Sequence, residues 1–220
     1  MISDEAIAEA VATFWSGRIQ GTHTAVHDRA FLELIAGDLT AKGYAPHVAQ
    51  GISDAAARIG GYFRASKSWD IVCRDDEGRL SVAIEFKSQV DSYGNNENNR
   101  YEEALGSGLD ARARYGHAVL LGFVLVLCDE EATTRPTTMV HDEIHPEFRR
   151  TSHVDRRALF ARRLTEFRVN QMPFYDAAAI LLVSRDGAHR HLDDPALDLR
   201  TFADRLTHRL NGGAPRITAT

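Results

Sequence analysis

Lys67-Ser68-Trp69-Asp70-Ile71-Val72-Cys73 and Leu80-Ser81-Val82-Ala83-Ile84-Glu85-Phe86-Lys87 flank the polar turn Arg74-Asp75-Asp76-Glu77-Gly78-Arg79. Short β-rich runs on either side of a glycine-containing turn predict a hairpin or adjacent strands, here Trp69 to Cys73 and Leu80 to Lys87. Side chains alternate along a strand, so Val82, Ile84 and Phe86 face one way and Ala83, Glu85 and Lys87 the other.

Downstream of this pair comes a polar loop with Gly94, then a helix from Asn98 to Tyr115. Ala118 to Cys128 is continuously apolar and reads as a buried strand, as does Ala178 to Ser184. Between them, Thr133 to Pro146 is a loop, and Ser152 caps a helix reaching about Arg168 on the stripe Leu159, Phe160, Leu164 and Phe167. Asp198 to Leu210 closes the chain as a helix before Gly212-Gly213. Upstream, Ser3-Asp4-Glu5-Ala6 opens a short helix with Ile7, Val11 and Phe14 at helical spacing. A longer one runs from Ala25 to Lys42 until Gly43 stops it. The stretch from Gly43 to Gly61 carries no decisive pattern. Strands framed by helices make an α/β domain with a central mixed β-sheet flanked by helices.

With 220 residues, 44% of them hydrophobic, the chain suits one domain with a sizeable core. Its net charge of −5 argues against coating nucleic acid by bulk charge, although a local basic face remains open. Cys73 and Cys128 lie in apolar runs without metal-ligand spacing, and the first twenty residues lack a basic and then apolar leader. The expectation is a cytoplasmic, disulfide-free protein. Ala118 to Cys128, the longest apolar run, falls short of the roughly 20 residues that cross a bilayer, so no membrane partner is expected.

Neighbouring strands bring Asp70 close to Glu85 and Lys87. A hard cation such as Mg2+ takes oxygen ligands, and Asp70, Glu85 and the backbone carbonyl of Phe86 suit it. A protonated Lys87 cannot ligate the ion, but it can hold an attacking water or neutralise charge on a phosphoryl oxygen. This is the chemistry of phosphodiester hydrolysis. The competing reading has Asp70 and Lys87 flanking ordinary strands, with Glu85 and Lys87 as a solvated pair. Lysine is scarce, limited to Lys42, Lys67 and Lys87, which favours a specific role for Lys87.

The aspartate followed by a Glu-x-Lys triplet resembles the PD-(D/E)xK nuclease superfamily, with Trp69 where a proline often precedes the aspartate. More specifically, Lys67 to Val72, Ala83-Ile84-Glu85-Phe86-Lys87-Ser88-Gln89-Val90 and Ser92-Tyr93-Gly94-Asn95-Asn96-Glu97-Asn98-Asn99-Arg100-Tyr101-Glu102-Glu103-Ala104-Leu105-Gly106 are similar to the XhoI-type restriction endonucleases. The resemblance implies a restriction-endonuclease-like fold and a Mg2+-dependent type II enzyme with Asp70, Glu85 and Lys87 as catalytic residues. It further implies a homodimer acting on double-stranded DNA at CTCGAG, four-nucleotide 5′ extensions, and a partner DNA methyltransferase that protects the same site. The whole of 1–220 is then one nuclease domain, with 1–60 mainly helical and 67–184 the catalytic core.

Within the loop from Ser92 to Arg100, the amides of Asn95, Asn96, Asn98 and Asn99 and the guanidinium of Arg100 suit adenine and guanine edges or phosphate. Tyr93 stacks or packs. An asparagine-rich turn satisfying its own backbone is the alternative. Glu102 and Glu103 open the next helix, within reach of a second metal or merely favouring the helix N-terminus. Many nucleases of this general architecture also lend an acid from an early helix to the metal region. Glu33 is the candidate, a surface glutamate the alternative, and His27 a weaker one.

Positive potential for phosphate comes from Arg149, Arg150, Arg156, Arg157, Arg162, Arg163 and Arg168, seven arginines against Asp155 and Glu166. A solvated helix face is the competing account. His141, His145 and His153 lack zinc spacing, and His189 and His191 read as an exposed basic turn beside Arg185 and Arg190. Three other functions stay open: a sequence-nonspecific or structure-directed repair nuclease, a non-catalytic DNA-binding domain, and an acidic interaction module.

Overall fold

A computed structural model describes residues 1–19, 27–51, 53–91, 93–134, 145–149, 151–169 and 171–211. In chain order its helices and strands are α1 (Asp4–Ile19), α2 (Arg29–Ala41), β1 (Pro46–Val48), β2 (Arg58–Ile59), β3 (Lys67–Ser68), β4 (Ile71–Arg74), β5 (Leu80–Gln89) and α3 (Tyr93–Tyr115). They continue with β6 (Leu120–Cys128), α4 (Asp129–Ala132), α5 (His153–Glu166), β7 (Arg168–Val169), β8 (Met172–Pro173), β9 (Ala177–Val183), β10 (His189–His191) and α6 (Phe202–Asn211).

The expected hairpin forms: β4 and β5 pair antiparallel, with Ile71 opposite Ile84. A six-stranded sheet is built around them in the order β1-β4-β5-β6-β9-β10. The pairs β5–β6 and β6–β9 are parallel, and every residue of β6 and β9 is buried, as unbroken apolar runs require when helices cover both faces. Val82, Ile84 and Phe86 join one core with residues of α1, α2 and α6. Ala83 faces a second core, shared with α3 and α5. Glu85 and Lys87 therefore project towards the α3 side.

Local signals set the ends. The Ser3 hydroxyl accepts the Ala6 N–H at 3.2 Å ahead of α1. Gly43, at φ +86°, follows α2 in a left-handed conformation that glycine adopts without strain. Ser152 and Asp155 form a reciprocal capping box on α5. Asp198 caps a 3₁₀ turn at Leu199–Thr201, so the last helix begins at Phe202 and not at Asp198. Similarly α2 begins at Arg29, and residues 20–26 lie outside the described set.

Two expectations need correcting. The loop assigned from Ser92 to Arg100 is helical from Tyr93 onward. Tertiary anchoring overrides the poor helix propensity of glycine and asparagine there: the buried Tyr93 hydroxyl donates to the Gln89 carbonyl at 2.7 Å and lies 3.3 Å from that of Cys128. In α5 the apolar stripe stops at Leu164. Phe167 lies past the helix end and is exposed, whereas His153, Arg156 and Arg157 are buried. Cys73 and Cys128 are free and buried, and among the described residues no helix is long and apolar enough to cross a membrane.

Candidate active site

Asp70 sits immediately before β4, where the hairpin ladder ends. Its N–H still reaches the Ile84 carbonyl, but the next donor on β5, the Phe86 N–H, goes to Asp70 Oδ2 at 2.7 Å. The N–H and carbonyl of a strand residue point to the same side, so the Phe86 carbonyl lies on the Asp70 side too. Burial raises the Asp70 pKa, opposed by the Phe86 N–H and Lys87 and reinforced by Glu85.

Glu85 is wholly buried. Lys67 Nζ lies 3.2 Å and Lys87 Nζ 3.1 Å from its Oε1, and the Tyr175 hydroxyl lies 3.3 Å from its Oε2. Burial pulls the Lys87 pKa down, but the charges of Glu85, Asp70 and Glu103 outweigh it and the net direction is up. Lys87 is thus a cation at neutral pH. Glu103 Oε2 lies 3.5 Å from Lys87 Nζ and accepts from Arg100 at 2.8 Å. Against its partial burial, these cations hold it below the usual carboxylate range. A cleft of about 470 Å³ opens onto Glu85 and Lys87, lined also by Arg64, Lys67, Glu102, Glu103 and Ser107.

Two carboxylates and a backbone carbonyl form an oxygen donor set of the kind a hard divalent cation takes. Asp70 has one carboxylate oxygen oriented by a backbone N–H, and the Phe86 carbonyl stands beside it. Glu85 completes the set.

The expected trio comes together, and the structure adds residues that the sequence reading had not assigned. Lys67 shares the scarcity that singled out Lys87, so that signal was available. Tyr175, 90 residues from Glu85, carried none. At the start of α2, the acid that lies in the field of Asp70 and Lys87 is Asp28 and not Glu33. Glu33 is exposed and paired with Arg29 at 2.7 Å, whereas Asp28, one residue before α2, reaches Ser88 and lies in the field of Asp70 and Lys87. Burial lifts its pKa to about 6, against the pull of the Ser88 hydrogen bond, and its Oδ1 has no partner among the described residues. His27 is buried against the Phe14 ring.

Among the recognition candidates, Asn98 and Asn99 are exposed on the first turns of α3, and Arg100 is partly exposed and holds Glu103. Asn95 and Asn96 lie in the same helix, their side chains outside the described set. Glu102 and Glu103 stand two to three turns into α3, so they do not serve its N-terminus. Tyr93 packs in the interior. Arg149 is exposed, while Arg150 and His141 lie outside the described residues.

Arg156 and Arg157 correct the picture of a phosphate-facing helix, because both are buried. Arg156 donates to Phe148 and Thr151, and Arg157 donates to Gln89 and lies over the Tyr101 ring. Guanidiniums in a helix otherwise rich in solvated arginines give no pattern that separates inside from outside. His189 and His191 are likewise not an exposed turn: they form edge strand β10 and face Asp4.

A model of the family described as restriction endonuclease XhoI matches residues 15–191. The type II restriction enzyme BstVI of Geobacillus stearothermophilus is 35% identical over 157 residues, covering 64% of this chain and 68% of that protein. The type II restriction enzyme XhoI of Xanthomonas vasicola is 32% identical over 114 residues, 47% of this chain and 46% of its own. The type II restriction enzyme AbrI of Azospirillum brasilense is 54% identical over 56 residues, a quarter of each chain. No solved structure is a significant match.

Proposed function

The chain belongs to the XhoI restriction endonuclease family, and from this we propose that its Asp70, Glu85 and Lys87 cluster hydrolyses phosphodiester bonds of duplex DNA with Mg2+, at the palindrome CTCGAG. The observation that carries the proposal is the convergence of Lys87 and a buried carboxylate on one cleft, beside an aspartate fixed by the backbone of the same strand. The chain is a type II site-specific deoxyribonuclease, in keeping with the names of its relatives.

Asp70, Glu85 and the Phe86 carbonyl would hold Mg2+, which when bound supplies Lewis-acid polarisation of the phosphoryl group and a more acidic water. The protein's own groups do the rest. Lys87 stays protonated, so it stabilises negative charge growing on the phosphate and orients a water, and does not act as a base. Lys67 donates to one oxygen of the Glu85 carboxylate, and the Tyr175 hydroxyl, itself anchored on the Ala104 carbonyl at 2.9 Å, faces the other. Two-fold symmetry in a homodimer presents one such cluster to each strand of a palindrome, and a methyltransferase acting on the same sequence is the expected partner activity.

Two matched plasmids test this, one with a single unmethylated CTCGAG and one without, each incubated with Mg2+ or EDTA. Linearisation of the first alone, only with Mg2+ and with four-nucleotide 5′ extensions, is the expected result. Discrete cuts elsewhere refute the target, and uniform nicking refutes site specificity.

A further inference from the structure

We propose that Tyr62 and Phe63 form a rigid aromatic wedge that stacks on nucleobases of the bound duplex at the rim of the catalytic cleft. This rests on the nuclease reading and adds a contact within it. Both rings are strongly exposed, Tyr62 at 66% and Phe63 at 69%, and meet edge to face with centroids 4.9 Å apart. The backbone beneath them is held fast.

The buried Asp110 carboxylate accepts the N–H groups of both Tyr62 and Phe63 through Oδ1 at 2.7 Å, and pairs with Arg64 through Oδ2 at 3.1 Å. Arg114 donates to the Gly61 carbonyl and Tyr115 to that of Gly60, each at 2.9 Å. Gly61 makes this approach possible, since a Cβ there would fall 2.1 Å from Asp110 Oδ2. The clamp also has a direction. Glu103, Ser107, Asp110 and Arg114 follow one face of α3, so the helix face that lines the cleft is the one that grips the loop. Arg64, next in sequence to the rings, is itself a cleft residue.

The rings thus stand at a fixed position beside a site that must approach a phosphodiester. Their occupant is a base and not a phosphate: the rings carry no charge, while every nucleobase has a π face. In a duplex such a ring inserts at a base step that opens as the DNA bends; on single strands, removing a stacked aromatic costs about 1–3 kcal/mol per base, which is roughly fivefold to 150-fold in affinity.

The test uses the full chain with Ca2+ in place of Mg2+ and fluorescent duplexes with and without CTCGAG, comparing wild type with Tyr62→Ala, Phe63→Ala and Phe63→Trp. We expect each alanine variant to bind at least fivefold more weakly, with an unchanged slope of log affinity against log salt and an unchanged Tm. Phe63→Trp should bind like wild type. Unaltered affinity in the alanine variants, with wild type binding normally, overturns the wedge and leaves the nuclease reading standing. A lower solution mass in those variants assigns the rings to a subunit interface and also overturns it. If wild-type protein binds no duplex, the nuclease reading falls and the wedge with it.

Discussion

Two ammonium groups converge on a single carboxylate oxygen, Glu85 Oε1, and they are not equivalent. Both line the cleft, but Lys87 also faces Asp70 and Glu103, whereas Lys67 lies over the Trp69 ring and is within 3.3 Å of the Ser68 carbonyl. Lys87→Ala should therefore lower the single-turnover cleavage rate by about 10²–10³-fold or more while duplex affinity changes little, since it removes charge stabilisation in the transition state. Lys67→Ala removes a charge-assisted hydrogen bond worth about 1.5–3 kcal/mol. A loss of roughly tenfold to a hundredfold is expected, partly recovered at high Mg2+ because Glu85 is mispositioned and not absent. Asp28 and Glu33 make a second pair to compare. Asp28→Asn should raise the Mg2+ concentration for half-maximal cleavage several-fold, and Glu33→Gln should leave it unchanged; the reverse order in a metal titration would falsify the assignment of Asp28 to the site.

At the scale of elements, α5 separates two roles that its composition merges. Arg157 donates to the buried Gln89 and covers Tyr101, so Arg157→Ala strands a buried amide and should cost about 1–3 kcal/mol of stability. Urea unfolding will show the loss. The salt slope of DNA binding should stay within experimental scatter of wild type, whereas removal of a phosphate contact would lower it by about one. Helix α3 shows the complementary dependence of site on packing. A Cβ on Gly108 would lie 2.6 Å from Tyr175 Cε2 and 2.8 Å from Phe174 Cε1, so Gly108→Ala displaces the tyrosine that faces Glu85. We expect about 1–3 kcal/mol of destabilisation together with slower cleavage at temperatures where the variant is fully folded.

For the molecule as a whole, the sheet order places β4 and β5 second and third from one edge, with α3 over one face and α2 over the other. In the proposed homodimer, two such sites on a two-fold axis would cut both strands of a palindrome in one binding event, so sedimentation should give a dimer and plasmid should become linear without accumulating nicked circles. A monomer that leaves nicked circles contradicts this arrangement. Sequence by itself determined the hairpin, the alternation that puts Glu85 and Lys87 on one face, the buried strands β6 and β9, and the closeness of Asp70 to that face. All of these depend on periodicity or spacing over a few residues, which a linear pattern records. Strands β1 and β2, of three and two residues, were too short to show a period. Tertiary structure alone decided that α3 begins at Tyr93, that Arg156 and Arg157 turn inward, that Asp28 meets Ser88 and Tyr175 meets Glu85, and that Asp110 holds the Tyr62–Phe63 pair. The physical reason is that burial and charge pairing across tens of residues depend on which surfaces meet, and intrinsic propensity yields to those contacts wherever they are stronger.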